Sequence, residues 1–229
     1  MNSNRKTAII VGVLFIIATV AGMLSAVFSG PLHDPDYLTK VSANESQIIV
    51  GVLLVLIMGA AVASIPFMMF PIFKKHNEAL ALGYVAFRVL EAVTYFAAAM
   101  SWVLLITLSQ EFVKAGVPEA SHFQSLGDLL LAAREWAFMI GSGLVWSLSA
   151  LVLNYVLYRT RLIPRWLSGW GLIGATLSFA TYLLQFFGIS LDILFLPIAL
   201  QEMAFAVWLI VKGFNPSAIA SRSPETDTN

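Results

Sequence analysis

The sequence predicts an all-α fold: a polytopic membrane bundle of six transmembrane helices with both termini in the cytoplasm. Three observations carry this. Of 229 residues, 59% are hydrophobic and 11% charged, with a mean hydropathy of +0.84, far more apolar than an ordinary globular chain. Six apolar runs are each long enough to cross a ~30 Å hydrocarbon core at about 1.5 Å per residue. Basic residues are also segregated: with the N-terminus inside, Arg5, Lys6, Lys74, Lys75, Arg159, Arg161, Arg165, Lys212 and Arg222 are cytoplasmic, against Lys40 and Lys114 outside, the bias that sets membrane orientation.

The first span is expected over 8–28; it is too long for a signal-peptide core and lacks a small-x-small cleavage site. A polar loop from Ser29 to Ser46 follows, marked by Gly30, Pro31, Pro35, Asp34, Asp36 and Asn44. Span two covers 47–73, and its Pro66 and Pro71 remove backbone donors, which should kink or end the helix there. Lys74 to Glu78 form a basic turn into span three, 80–108. A second polar loop, Gln110 to Gln124, contains Gly116, Pro118 and His122; span four, 125–158, exceeds a bilayer's requirement and should tilt or project. Span five is 166–187 and span six 192–211, so residues 1–212 form one domain and 213–229 a disordered cytoplasmic tail rich in Ser, Pro, Thr and acidic residues.

Span three organises the candidate site. Tyr84, Arg88, Glu91 and Tyr95 fall at i, i+4, i+7 and i+11, one face of a helix. Arg88 and Glu91 lie roughly 12 to 18 Å from the Leu80 end, where neither charge can face lipid cheaply. In span four, Asp128, Glu135, Ser142, Trp146 and Ser149 share a face, with Arg134 about 100° from Glu135. Span five adds Ser178, Thr181, Tyr182 and Gln185, and span six adds Gln201 and Glu202. The expected buried set is therefore Arg88, Glu91, Arg134, Glu135 and Glu202, with Tyr84, Tyr95, Trp136, Tyr182, Gln185 and Gln201 as hydrogen-bonding partners. Two arginines against three carboxylates leave one excess negative charge, which a raised carboxylate pKa or a cationic partner would offset.

Other chemistry finds little support. There is no cysteine, which removes disulfides, thiolate metal sites and cysteine nucleophiles. No lysine lies within an expected span, so a retinal Schiff base is excluded. The histidines His33, His76 and His122 all fall in loops, leaving no intramembrane haem or zinc ligand; only His33, Asp34, Asp36 and His122 could share an outer metal. The string Gly169-Trp170-Gly171-Leu172-Ile173-Gly174 matches Gly-x-Gly-x-x-Gly but sits inside an apolar helix with no preceding strand, so it reads as a helix-packing surface, as do Gly141 and Gly143. Arg159 to Arg165 with Trp166 and Trp170 reads as an interface anchor on anionic lipid.

The segments ALGYVAFRVLEAV at Ala81 to Val93 and LYRTRLIPRWLSGWGLIGA at Leu157 to Ala175, with the start RKTAIIVGVLFIIATVAG, resemble a bacterial family of multi-pass membrane proteins catalogued as a domain of unknown function, DUF4386. The resemblance runs from Arg5 to about Lys212. It implies a bacterial cytoplasmic membrane location and no particular reaction, substrate or catalytic residue.

The residues themselves favour non-catalytic binding or translocation of a small molecule, lipid headgroup or ion. Arg88 would anchor an anion, and Glu91, Glu135 and Glu202 would accept a proton or cation. Membrane lipids are the expected partners; no cofactor, metal or nucleic acid is called for, and six spans are compatible with further assembly. Two competitors stand beside this reading. One is an intramembrane enzyme acting on a lipid with a carboxylate as general base. The other is an accessory or immunity-type interaction protein whose buried charges only lock the helices together.

Overall fold

The computed structural model describes residues 3–116 and 120–220; Pro118 of the second expected loop, Arg222 and most of the expected tail lie outside them. Among the described residues the protein is all-helical, with no strand, and six helices are long and apolar enough to cross a membrane. They are α1 (Ser3–Phe28), α3 (Glu45–Phe73), α4 (Glu78–Ala115), the fourth span His122–Thr160, α7 (Arg165–Gln185) and the sixth span Asp192–Val211, which contains α8 (Leu196–Val211). Shorter helices are α2 (Tyr37–Ala43) and α9 (Pro216–Ala220).

Several boundaries differ from expectation. The residues between spans one and two are not simply a polar loop. A 3-10 turn over Gly30–His33 and the helix α2 fold there, burying Leu32, Tyr37, Leu38 and Val41. The apolar spacing Tyr37, Leu38, Val41 was the available signal, masked by the surrounding Asp and Pro. Helix α3 runs through Pro66 and past Pro71 to Phe73, since a membrane helix can satisfy the carbonyls that proline frees through neighbouring groups. Helix α4 extends seven residues beyond the expected Leu108, to Ala115. Part of the tail is also folded: α9 follows Lys212, with Phe214 and Ala218 buried.

The fourth span is not one α-helix. It comprises α5 (Ala120–Phe138), a π-helical segment over Met139–Val145, and α6 (Trp146–Thr160). A π turn closes i→i+5 instead of i→i+4, so helical phase slips by about one residue, or 100°. The face drawn from Asp128 through Glu135 to Ser149 is therefore broken at the segment: Ser149 is fully buried, whereas Glu135 is exposed.

The chain divides into two compact units, and the divisions fall inside α1, α3, α4 and the π segment. The first comprises Met1–Ile16, Val62–Leu90 and Gly143–Asn229. Its core gathers Val11 and Phe15 from α1, Ile65 and Met69 from α3, Leu157 from α6 and Phe205 from α8, with Phe15 edge-on to Phe205 at 5.4 Å. The expected glycine packing is present here. A Cβ on Gly171 would coincide with the Asn154 amide, and one on Gly174 would lie 3.0 Å from the backbone of Ile198, whereas Gly169 meets only Tyr158 at 3.8 Å.

The second unit comprises Ile17–Ala61 and Glu91–Ser142. Helix α2 is joined to α5 by the Tyr37 hydroxyl, which donates to Asp128 at 2.8 Å and to the Gln124 carbonyl at 3.2 Å. Asp34 and Asp36, weighed above as metal ligands, hold Lys40 at 3.0 and 3.5 Å. Burial and the Asp128 carboxylate push the Tyr37 phenol above its usual range. A phenol that binds its proton more tightly when folded contributes stability present below about pH 10 and lost as pH rises further. Hydrogen exchange on α2 amides should therefore accelerate above that pH in the wild type, and Tyr37→Phe should already show faster exchange at neutral pH with little additional alkaline change.

Candidate functional site

The expected face of span three is buried along its length: Tyr84, Arg88, Glu91 and Tyr95 are 1 to 4% exposed. This follows from spacing, because an apolar helix with its polar residues at i, i+4, i+7 and i+11 can turn them all from lipid at once. Trp102, at 1%, extends the stripe by two turns, and its position seven residues after Tyr95 was legible in the sequence. The unit division falls between Leu90 and Glu91, so Tyr84 and Arg88 belong to the first unit and Glu91 and Tyr95 to the second.

In the first unit, the Arg88 guanidinium lies 5.5 Å from the Phe15 ring centroid and 5.6 Å from that of Tyr84. Such contacts stabilise a desolvated cation by up to about 2 kcal/mol. Arg88 also interacts electrostatically with Glu202, whose carboxylate accepts a hydrogen bond from Trp146 Nε1 at 3.3 Å. Beside Glu202, Gln201 is 1% exposed and donates to Asn154 Oδ1 and the Leu167 carbonyl, both at 3.2 Å, while Asn154 Nδ2 donates to Ala150 at 2.9 Å. Asn154 was missed by sequence reasoning, although a lone asparagine inside an apolar run was a usable signal. Tyr182 stacks on Phe195 with centroids 4.5 Å apart and packs against Gly143. Gln185 donates to Asp192 at 3.1 Å, where the chain turns into the sixth span.

In the second unit, Glu91 accepts the Tyr95 hydroxyl at 2.9 Å, and Thr94 donates to the Glu91 carbonyl at 2.7 Å. Thr94 packs where a Cβ on Gly141 would stand, which fixes glycine inside the π segment. Arg134 lies 4.7 Å from the Trp102 ring centroid and 5.4 Å from that of Phe138. Its Nε is buried without a hydrogen-bond partner among the described residues. Glu135, expected to be buried, is exposed, and Trp136, expected as a buried partner, is 49% exposed. Both departures have one cause: α5 turns Arg134 toward Trp102, which leaves its neighbours in sequence on the outer side.

Arg134 and Glu135 line a groove of about 420 Å³ with Ser25, Met58, Tyr95, Phe138 and Ser142. Sequence reasoning missed Ser25, Met58 and Phe138, since nothing in the spacing of spans one and two set them apart from lipid-facing or core residues. Among the described residues no group of three or more His, Cys, Asp or Glu could hold a metal ion.

A family model described as Domain of unknown function (DUF4386) matches residues 10–213. No curated protein and no solved structure matches the chain.

Proposed function

We propose, for a chain that belongs to the DUF4386 family, non-catalytic binding or translocation of a small molecule, lipid headgroup or ion by charged side chains inside its membrane spans. The observation supporting this most directly is that Arg134 lies against the Trp102 and Phe138 rings with its buried Nε lacking a hydrogen-bond partner among the described residues. A structural lock would leave no such donor open, because an intramembrane ion pair stabilises only when both partners and their remaining hydrogen-bonding groups are satisfied. Glu202, which feels the Arg88 charge, takes its hydrogen bond from the Trp146 indole. Arg88 and Tyr84 with Glu202, Tyr182 and Gln185 supply one set of groups, and Glu91, Tyr95, Arg134 and Glu135 another. In this reading Arg88 is an anion anchor and the carboxylates receive a proton or cation. The location is a bacterial cytoplasmic membrane with both termini on the cytoplasmic side, which the segregation of basic residues supports.

Native mass spectrometry of the purified protein released from detergent tests the reading, with Arg88→Ala and Glu91→Gln beside the wild type. Glu91→Gln keeps an oxygen for the Tyr95 hydroxyl and removes the charge, so the variant should remain folded yet lose a co-purifying species. If no species is bound and both variants melt at lower temperature, the charges are a lock and the reading fails.

A further inference from the structure

The Arg134 groove has a donor and acceptor inventory that selects a ligand. A guanidinium offers five N–H donors and no acceptor. Arg134 hydrogen-bonds no carboxylate or carbonyl among the described residues; it lies against the Trp102 and Phe138 rings and feels the Glu135 charge. Glu135, on the same groove, is exposed and hydrogen-bonds no cation among the described residues. The other polar groups there have already placed their protons: Ser25 donates to Gly22 at 2.8 Å, Ser142 to Phe138 at 2.7 Å and Tyr95 to Glu91 at 2.9 Å. The groove therefore offers a visitor one cluster of cationic donors and several acceptor oxygens, one of them a carboxylate.

Charge then narrows the choice. Arg134 and Glu135 offset one another's charge, so a simple anion or a simple cation would leave the groove with a net charge in a membrane span. A zwitterion pairs with both and brings no net charge. Its positive end should carry N–H donors, because the serine and carboxylate oxygens can only accept. A primary ammonium fits that requirement, whereas a quaternary one has no donor to give. Met58 and Phe138 supply apolar walls, and on α1, which carries Ser25, Met23 and Val27 are each 69% exposed, as expected of a wall turned toward acyl chains.

We propose that this groove is a binding site for the zwitterionic headgroup of a phosphoethanolamine lipid, with phosphate on Arg134 and ammonium on Glu135. This rests on the reading that the intramembrane charges serve a ligand, and it assigns one set of them a chemical class. Bidentate arginine–phosphate pairing and a charge-assisted ammonium bond are both strong enough to discriminate headgroups.

The test is retention of lipid by the full chain reconstituted in nanodiscs containing equal parts phosphatidylethanolamine, phosphatidylcholine and phosphatidylglycerol, then extracted and weighed by native mass spectrometry. The wild type should retain phosphatidylethanolamine about tenfold over either competitor. Arg134→Gln should lose that retention. Glu135→Gln, at an exposed side chain whose loss should not disturb folding, should turn the preference toward anionic phosphatidylglycerol. Equal retention of the three lipids by wild type, or an unchanged preference in Glu135→Gln, overturns the proposal. So does full displacement by excess soluble glycerophosphoethanolamine, which would make the free headgroup the ligand. If the lipids are retained equally while Arg88→Ala still loses a co-purifying species, this assignment fails alone and the broader binding reading stands.

Discussion

Gly171→Leu is expected to lower the melting temperature of the detergent-solubilised protein by roughly 6 to 12 °C, equivalent to about 3 kcal/mol for a chain of this size. The position has no room for a side chain, since its Cβ would stand on the Asn154 amide. Asn154 cannot rotate away without cost: it donates to Ala150 and accepts from Gln201, itself 1% exposed. The substitution therefore combines overpacking, typically about 1 to 3 kcal/mol, with buried amide groups left unpaired, at about 1 to 3 kcal/mol each. Gly169→Leu, where the nearest atom is 3.8 Å away, is the internal control and should melt near wild type. Equal melting of the two variants would mean that the Gly-x-Gly-x-x-Gly segment is not a packing surface.

Arg5→Gln is expected to lower thermal stability by a similar amount, on the order of 2 to 4 kcal/mol, and to expose the C-terminal residues to limited proteolysis. The guanidinium donates to the carbonyls of Leu209, Ile210 and Val211 at 2.9, 2.6 and 3.1 Å. These are last-turn carbonyls of α8 with no helical partner, and a cation at that end also complements the helix dipole. Arg5→Lys should recover less than half of the loss, because one ammonium cannot span three carbonyls in the way a planar fork does. Full recovery by lysine would reduce the contact to charge alone.

The fold was legible because bilayer thickness imposes a length on every span and polar residues inside a span cannot face lipid. The run from Leu80 to Leu108 and the spacing of Tyr84, Arg88, Glu91 and Tyr95 carried both facts, and their burial follows from them. The candidate site was less legible for two physical reasons. Spacing gives the face of a helix but not which neighbour it meets, so Asn154 as the partner of Gln201 and Trp102 as the support of Arg134 emerge only from packing. Spacing also presumes an unbroken α-helix, and the seven residues Met139–Val145 violate that presumption, which is why Glu135 and Ser149 do not share an environment. Residue types gave no warning of this beyond Gly141 and Gly143, which a packing interface explains equally well.

The wide turn in the fourth span has an evolutionary consequence. Within an ordinary helix, drift proceeds by exchanging one side chain for another, and each exchange acts on its own surroundings. At Met139–Val145 the wide turn absorbs one extra residue, so losing that residue would restore ordinary winding and leave the residues on each side facing nearly as before. Arg134 and Glu135 would keep their directions, whereas a residue lost from an ordinary α-helical stretch of the span would turn everything beyond it by about 100°. Family members shorter by one residue here are thus expected to wind as plain α-helix and keep their charged residues facing as they do in this chain, whereas members shorter by one residue elsewhere in the span are not.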